Sequence, residues 1–220
     1  MDDAYIFSHV DHTLLTPVAT WQEIEKLCNE AIRHKTASVC VPPCYVRRIR
    51  AAFTALNVCT VIGFPLGYHP APVKALEAQI ALEDGADELD MVINITDAKN
   101  GDFTCVESEI AHLKRVAGQR ILKVIIETCH LDEREKIALC SAVTGAGADY
   151  IKTSTGFGSA GATMADVLLF KDHIGPNVKI KAAGGIRTRE DMVAFLEAGC
   201  DRLGTSSAVK LLTGGTAAGY

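Results

Sequence analysis

Apolar and polar residues alternate along this chain with two different periods. Short runs rich in β-branched and apolar residues favour β-strands, and the longer segments between them repeat apolar residues every three or four positions, as amphipathic helices do. The predicted strands lie at residues 9–14, 38–41, 59–64, 88–95, 121–127, 150–155, 179–183 and 202–206. The predicted helices follow them at residues 20–35, 44–56, 71–84, 103–117, 132–146, 163–173, 189–199 and 206–213. The pattern therefore predicts eight successive strand–helix pairs.

Local signals mark the ends of several predicted helices. Thr20 followed by Glu23 is the pattern of a capping box, and Asp132 and Thr163 are residue types that cap helix N-termini. Glycine often ends a helix because it adopts the left-handed backbone conformation without strain. Glycines stand at four predicted helix ends: Gly85, Gly118, Gly147 and Gly199. These signals support the positions of the predicted helices.

The regular alternation of strands and helices predicts the α/β fold class. Strands separated by helices pair in parallel, and eight such units close most naturally into a (β/α)8 TIM barrel. A chain of 220 residues suits a barrel with few insertions, and no linker rich in proline, glycine or serine divides it. We therefore expect a single barrel domain over residues 1–220. An open doubly wound sheet is the alternative.

Composition and charge argue against several classes of partner. The formal net charge of −5 and the scattered basic residues do not favour nucleic acid. The N-terminus has no signal-peptide pattern and no apolar run approaches the length of a membrane span, so we expect a cytoplasmic protein without a membrane partner. The eight cysteines include no Cys-x-x-Cys pair and the seven histidines no His-x-x-x-His pair, which predicts reduced thiols and no metal site.

Two predicted strands each carry a lysine just before a glycine turn. The segment Tyr150-Ile-Lys-Thr-Ser-Thr-Gly156 contains Lys152, and Lys179-Ile-Lys-Ala-Ala-Gly-Gly-Ile-Arg187 contains Lys181. If both amines are buried together, desolvation and the like charge disfavour the ammonium form, and a neutral amine is a nucleophile. Each lysine alone could be a solvated strand end or half of an ion pair. The pair, with a glycine turn after each member, favours covalent chemistry.

Side-chain parity predicts which residues meet inside the barrel. Alternate residues of a barrel strand point inward, and sites form at the carboxyl ends of the strands. The inward set is unusually charged: Asp11, Asp90, Lys123, Lys152 and Lys181. The outward positions between them are apolar, as strands beneath helices require. Asp90 and Lys123 are either mutual counterions at the barrel centre, or Asp90 moves protons to and from a nucleophilic amine through water.

Glycine-rich turns after the last two strands predict a phosphate site. Barrels commonly bind phosphate with these two loops, because glycines let backbone N–H groups approach the oxygens. The predicted binders come from these turns and from the turn after the sixth strand: Gly156, Gly184, Gly185, Arg187, Ser206 and Ser207. Tight turns without a ligand are the alternative. The substrate is therefore expected to be a small phosphorylated molecule.

Residues 156–161 match the Gly-x-Gly-x-x-Gly dinucleotide-binding pattern. A dinucleotide unit also needs an acidic residue at the end of the next strand, where it binds the ribose hydroxyls. The next strand, Lys179-Ile-Lys-Ala-Ala183, has no acidic residue. We therefore expect a flexible loop over the site and no cofactor.

Six segments in combination resemble the family of 2-deoxyribose-5-phosphate aldolases over nearly the whole chain. They are Val10-Asp-His-Thr13, Glu88-Leu-Asp-Met-Val-Ile-Asn94, Leu122-Lys-Val-Ile-Ile-Glu-Thr128, Lys152-Thr-Ser-Thr-Gly156, Lys181-Ala-Ala-Gly-Gly-Ile-Arg187 and Gly204-Thr-Ser-Ser207. The resemblance implies reversible, metal-free cleavage of 2-deoxy-D-ribose 5-phosphate to acetaldehyde and D-glyceraldehyde 3-phosphate, in the catabolism of deoxyribose phosphates.

The resemblance also implies a role for each inward charge. Lys152 matches the Schiff-base lysine, Lys181 the lysine that perturbs it and helps to transfer protons, and Asp90 the proton donor and acceptor. Lys123 and Asp11 match supporting charges. The glycines, arginine and serines of the last two turns match phosphate binders.

Three positions leave alternatives open. Some family members carry a lysine after the Thr-Ser-Thr-Gly turn, where this chain has Phe157, so phosphate affinity would depend more on Arg187 and backbone donors. Tyr220 ends a tail of small residues that is either disordered or folds over the site as a proton relay. Cys40 is either a packed thiol or one that meets aldehydes at the barrel mouth.

Other functions also stay open. A different Schiff-base aldolase would share the lysine and accept another phosphorylated sugar or a keto acid. A phosphosugar isomerase would use Asp90 or Glu127 as its base and form no covalent adduct. A barrel that only binds phosphate would not need the paired lysines. The expected partners are small phosphorylated sugars and aldehydes, and a homodimer or higher homo-oligomer is common for enzymes of this size.

Overall fold

The computed structural model describes residues 1–214, in which eight β-strands close into a barrel. Each strand pairs in parallel with the next, and the first pairs with the last. The strands are Val10–Thr13 (β1), Ser38–Val41 (β2), Val58–Ile62 (β3), Glu88–Val92 (β4), Ile121–Ile125 (β5), Tyr150–Lys152 (β6), Lys179–Ala183 (β7) and Arg202–Thr205 (β8). The predicted (β/α)8 barrel is confirmed.

Ten α-helices occur within the described residues, and all eight predicted helices are among them. They are Asp3–Ser8 (α1), Trp21–His34 (α2), Val46–Ala52 (α3), Ala71–Glu83 (α4), Ile95–Lys99 (α5), Phe103–Ala117 (α6), Glu133–Gly145 (α7), Met164–His173 (α8), Arg189–Ala198 (α9) and Ala208–Leu212 (α10). Short 3₁₀ turns lie at Pro43–Tyr45 and Thr128–His130. The sequence prediction missed α1 and α5, which are short and lie outside the strand–helix alternation, since α1 precedes β1 and α5 is an additional helix before α6. Within residues 1–214, none of these helices is both long and apolar enough to span a membrane.

Six strands end earlier than the sequence pattern predicts, and β4 and β6 do so by the most, three residues each. β4 ends at Val92, and Asn94 instead caps α5, its side chain accepting a hydrogen bond from the Thr96 N–H at 3.2 Å. β6 ends at Lys152, and the chain turns at Gly156, where φ is 88°. In both cases β-branched or apolar residues continue the strand pattern beyond the last paired strand residue, and only single backbone bonds, such as Ile93 N–H to Ile125 O and Thr153 N–H to Lys181 O, extend the ladder.

The predicted helix ends are present. Thr20 and Glu23 form a capping box at the start of α2, and the side chains of Asp132 and Thr163 each accept a backbone N–H bond as N-caps of α7 and α8. Gly199 is the C-cap of α9 and has a left-handed backbone conformation. Each such N-cap satisfies a donor that the helix leaves free and stabilises the helix by about 1 kcal/mol.

The outward side chains of the strands pack beneath the helices as one apolar core. Leu89, Met91 and Val124 are fully buried in it, as strand parity predicts. Burial of each such side chain contributes about 1.5–3 kcal/mol. The barrel interior contains a small apolar group that includes Cys40 and Cys59, and charged residues beside it. The helical layer therefore supplies most of the apolar stabilisation, and the interior carries the polar groups.

Candidate active site at the carboxyl end of the barrel

The strand register brings the five predicted inward charges together. Asp90 on β4 lies directly beside Lys123 on β5, and Lys152 on β6 lies beside Lys181 on β7. β1 follows β8 around the barrel and contributes Asp11. All five side chains are buried. The prediction that they share the barrel interior is confirmed in geometry.

Asp90 is the centre of this arrangement. Its Oδ2 atom accepts hydrogen bonds from Lys152 Nζ at 2.7 Å and from Lys181 Nζ at 2.6 Å. Its Oδ1 atom accepts one from Lys123 Nζ at 2.9 Å and a weaker one from Cys59 Sγ at 3.1 Å. One carboxylate therefore joins the two candidate catalytic amines on one oxygen and a third amine on the other.

Two further charged residues complete the interior, and sequence reasoning missed both of them. Arg202 donates to Glu88 at 3.1 and 3.2 Å and forms a short hydrogen bond with Asp11. Glu88 also pairs with Lys123. Strand parity could have indicated both residues. Glu88 lies two positions before Asp90, and Arg202 lies two positions before Gly204, so each has the parity of an inward-facing residue.

The interior contains one more cation than carboxylates. Its members, here called the charged cluster, are Asp11, Glu88, Asp90, Lys123, Lys152, Lys181 and Arg202. Within residues 1–214, Lys152 pairs with Asp90 alone, whereas Lys181 pairs with both Asp11 and Asp90. Lys152 is therefore the amine whose positive charge is least compensated by carboxylates.

The other members of the cluster hold one another in their charged forms. Burial raises the pKa of Asp90, but the three ammonium groups around it outweigh burial and hold that pKa well below its ordinary value. Burial likewise raises the pKa of Asp11, and the surrounding cations lower it well below the ordinary range. Burial lowers the pKa of Lys181, and the charges of Asp11 and Asp90 raise it above its ordinary value. These three groups are therefore charged at neutral pH.

A cavity of about 430 Å³ opens at the carboxyl ends of the strands and contains Lys152 in its wall. Among the three lysines of the charged cluster, Lys152 lines this cavity, and Lys123 and Lys181 are not among its lining residues within the described chain. All six predicted phosphate binders line the same cavity: Gly156, Gly184, Gly185, Arg187, Ser206 and Ser207. The turns after β7 and β8 are adjacent because Ala183 pairs with Gly204. Lys152, the lysine with the fewest carboxylate partners, and the predicted anion-binding groups therefore line one cavity.

The glycines of these turns have backbone conformations that other residues rarely adopt. Gly156, Gly184 and Gly185 have φ of 88°, 76° and 74°. Gly161 packs so closely on the next turn that a Cβ atom there would lie 2.3 Å from the Gly184 carbonyl. The segment that matches a dinucleotide pattern is thus part of the cavity wall, in the loop between β6 and α8.

Two groups of potential metal ligands occur within the described residues, and both include carboxylates of the charged cluster. Side-chain ligand atoms of Cys40, Cys59 and Asp90 lie within 4.8 Å of one another, as do those of Asp11, Cys59 and Glu88. The carboxylates already pair with cations, and Lys123 Nζ lies 3.4 Å from Cys59 Sγ. A metal ion at either place would have to displace ammonium or guanidinium groups.

The remaining candidates lie outside the cavity wall. Cys40 is fully buried in the apolar group of the interior, in agreement with a packed thiol. Phe157 is 47% exposed and contacts the Phe64 ring edge-to-face, with centroids 5.3 Å apart. Glu127 is buried, and its carboxylate accepts hydrogen bonds from Thr155. Tyr220 lies outside the described residues.

Comparisons with known proteins agree with this geometry. The family model of DeoC/LacD family aldolases matches residues 6–214. The deoxyribose-phosphate aldolase of Clostridium botulinum (strain Eklund 17B / Type B) is 61% identical over 221 residues, which cover 100% of both chains. That of Clostridioides difficile (strain 630) is 53% identical over 209 residues, which cover 94% of this chain and 95% of the relative. The solved structure of the tetrameric deoxyribose phosphate aldolase from Aeropyrum pernix is 35% identical, with coverage of 96% and 91% and a TM-score of 0.90.

Proposed function

Since this chain belongs to the DeoC/LacD family of aldolases, we propose that it cleaves 2-deoxy-D-ribose 5-phosphate reversibly to acetaldehyde and D-glyceraldehyde 3-phosphate. Both clostridial relatives are named deoxyribose-phosphate aldolase, at 61% and 53% identity. The observation that carries the proposal is the position of Lys152, which lines the same cavity as the predicted phosphate binders and bonds to Asp90 at 2.7 Å.

Lys152 is the nucleophile in this proposal. The charged cluster holds one cation in excess of its carboxylates, so loss of a single proton makes it neutral. Lys152 is the amine with the fewest carboxylate partners, and it borders the cavity. Its neutral amine adds to the C1 carbonyl of the open-chain sugar phosphate, and loss of water forms an iminium ion.

The iminium ion accepts the electrons of the bond that breaks. As the C3 hydroxyl loses its proton, the C2–C3 bond pair moves toward the iminium nitrogen, and D-glyceraldehyde 3-phosphate leaves. The enamine that remains on Lys152 is protonated at carbon. Water then hydrolyses the imine, which releases acetaldehyde and restores the amine.

Asp90 and Lys181 transfer the protons of these steps. The supporting geometry is the shared oxygen, Asp90 Oδ2, which bonds to Lys152 at 2.7 Å and to Lys181 at 2.6 Å. Lys123 bonds to the opposite oxygen of Asp90, and Asp11 bonds to Lys181 at 2.5 Å. These two residues therefore support the orientation and charge of the proton-transfer pair.

The phosphate of the substrate binds at the other side of the cavity. Backbone N–H groups of Gly156, Gly184 and Gly185 approach its oxygens, with Arg187 and the hydroxyls of Ser206 and Ser207 as further donors. Their common position in the cavity wall supports this assignment. The reaction belongs to deoxyribose phosphate catabolism, in a cytoplasmic setting where the cysteines, all free thiols, stay reduced.

Reductive trapping tests the Schiff base directly. The intact mass of the chain is measured after incubation with acetaldehyde and borohydride, for the wild type and for Lys152→Ala. One added ethyl group in the wild type, absent from the variant, is the expected result. An absence of adduct in both proteins would refute the covalent mechanism and favour a phosphosugar isomerase.

Assembly with copies of the same chain is a further part of the proposal. Helix α4 buries Lys74 and Ala78 against the barrel, yet exposes Val73, Leu76 and Ile80 at spacings that place them on one outer face. A helix that is apolar on both faces is normally covered on both. The relative from Aeropyrum pernix is a tetramer, so a second copy of this chain is the proposed occupant of the outer face.

A further inference from the structure

Glu127 is a buried acidic residue with a strained backbone. It lies two residues beyond β5 and has φ 54° and ψ 68°, a left-handed conformation that residues with a Cβ atom rarely adopt. It is 3% exposed, and none of the ion pairs within residues 1–214 includes it. Strain of this kind persists where the surrounding structure fixes it, and it is concentrated at functional sites.

The contacts of Glu127 are all with the loop that follows Lys152 or with its own turn. The backbone N–H of Thr155 donates to both carboxylate oxygens, at 3.2 and 3.3 Å, and the Thr155 hydroxyl forms a short hydrogen bond with one of them. Thr155 Oγ1 in turn accepts a hydrogen bond from the Phe157 N–H at 2.9 Å. Glu127 therefore determines the path of the chain immediately after Lys152.

Residues 155–161, here called the glycine loop, have little conformational preference of their own. Three of these seven residues are glycine, which places few limits on the backbone. Gly158 packs against the Glu127 side chain, since a Cβ atom there would lie 3.2 Å from Glu127 Cδ and 2.7 Å from Cys129 Sγ. The conformation of the glycine loop is therefore set by what it contacts.

The far end of the glycine loop is fixed by the turn after β7. The Ala162 N–H donates to the carbonyls of Ala183 and Gly184, both at 3.1 Å, and Gly161 packs against Gly184. Glu127 holds one end of the loop and this turn holds the other. Between the two anchors, residues 158–161 line the cavity beside Gly184 and Gly185.

Resting on the proposed function, we infer that Glu127 is a positioning residue that holds the glycine loop against the phosphate end of the substrate. It is absent from the lining of the cavity in the described chain, and it acts through Thr155. Its contribution therefore concerns the affinity for a phosphorylated substrate. Formation of the Schiff base on Lys152 does not depend on it.

Comparison of two substrates tests this inference. Steady-state kcat and KM are measured with 2-deoxyribose 5-phosphate and with 2-deoxyribose, which lacks the phosphate. In Glu127→Ala, kcat/KM for the phosphorylated sugar should fall about a hundredfold, mainly through KM. The value for 2-deoxyribose should fall by less than about threefold, because the displaced groups of the glycine loop contact only the phosphate. Inhibition by inorganic phosphate should weaken in parallel.

Two variants serve as matched controls for the loss of the carboxylate. Glu127→Gln keeps the shape and one acceptor oxygen for Thr155, so it should recover most of the wild-type preference for the phosphorylated over the unphosphorylated sugar. Glu133→Ala removes an exposed carboxylate at the start of α7 and should leave both substrates unaffected. Equal losses for both substrates in Glu127→Ala, or wild-type discrimination, would overturn the inference.

Acetaldehyde trapping separates this inference from the proposed function. Loss of the borohydride adduct in the wild type refutes the aldolase mechanism itself. A normal adduct in Glu127→Ala, with unchanged discrimination, refutes only the role of Glu127. If circular dichroism shows that Glu127→Ala does not fold, Thr155→Val decides the question, since it keeps the acid and removes the hydroxyl through which the acid acts.

Discussion

Removal of the positive charge of Lys181 should lower the reactivity of the Lys152 amine, because that charge favours the neutral, nucleophilic form of its neighbour. Both amines lie within 2.7 Å of the same oxygen, Asp90 Oδ2, so the two nitrogens are close neighbours. Two unit charges about 5 Å apart repel by about 3 kcal/mol at an effective dielectric constant of about 20. That energy corresponds to roughly a hundredfold in an equilibrium constant. In Lys181→Met this repulsion is absent and Asp90 loses a competing cation, so a smaller fraction of Lys152 should be present as the neutral amine.

The assay follows the reactivity of the amine and does not require turnover. The rate of inactivation by an amine-directed acylating reagent is measured at one fixed pH, and peptide mass spectrometry verifies that Lys152 is the residue modified. The rate should fall roughly a hundredfold in Lys181→Met. Lys181→Arg keeps the cation and should remain close to the wild type. Lys179→Met removes an exposed lysine from the same strand and should have no effect.

An unchanged rate of Lys152 acylation in a folded Lys181→Met protein would refute the reasoning. Folding is checked independently, because loss of this lysine leaves Asp11 and Asp90 with fewer partners in the interior. Removal of one member of a buried ion pair typically costs about 3–5 kcal/mol. Arg202 still pairs with Asp11, and Lys123 and Lys152 still pair with Asp90, so we expect a destabilised but folded barrel.

Four other predictions follow from the same structure. Acid should destabilise the protein, because the folded-state pKa values of Asp11 and Asp90 lie below the ordinary value of 3.8. The stability that these two carboxylates contribute is present above pH 3.8 and is lost as the pH falls below it. The free energy of unfolding in urea should therefore fall from about pH 5 to about pH 3, and a flat profile would contradict this. Arg202→Met should lower the free energy of unfolding by about 3–5 kcal/mol, since it leaves buried carboxylates unpaired, and a loss in urea titration below about 1 kcal/mol would be inconsistent with that role. Gly161→Ala should raise KM for the phosphorylated sugar, because the new Cβ atom would lie 2.3 Å from a backbone atom of the β7 turn, and an unaltered KM would mean that the loop tolerates displacement. Leu76→Glu should shift the chain toward monomers in analytical ultracentrifugation, since it places a charge on a residue that is 57% exposed on the apolar face of α4, and unchanged sedimentation would place the interface elsewhere.

Much of the site was predictable because a barrel strand has a strict period of two. Asp90, Lys123 and Lys152 each follow from parity once the strands are recognised, and the turns after β7 and β8 follow from their glycines. The same rule would have found Glu88 and Arg202. Both residues begin their strands, at the end of the barrel opposite the one where sites form, so no expected role in the chemistry pointed to them.

The position of the Glu127 carboxylate was not predictable in this way. A strand that continued beyond Ile125 would have turned this side chain inward together with Lys123, where it could serve as the base of an isomerase. The strand ends at Ile125, and a left-handed backbone at Glu127 instead directs the carboxylate to Thr155. Nothing in the apolar pattern signals that reversal, because it depends on a tertiary contact between two loops.

Closure of the barrel pairs the first strand with the last. Asp11 bonds to Lys181, which is 170 residues later, and to Arg202, which is 191 residues later. During translation the acid leaves the ribosome well before these two cations. An incomplete barrel that buried Asp11 would lack two of the three cations that pair with it. We therefore expect the nascent chain to remain open and catalytically silent until β7 and β8 have emerged.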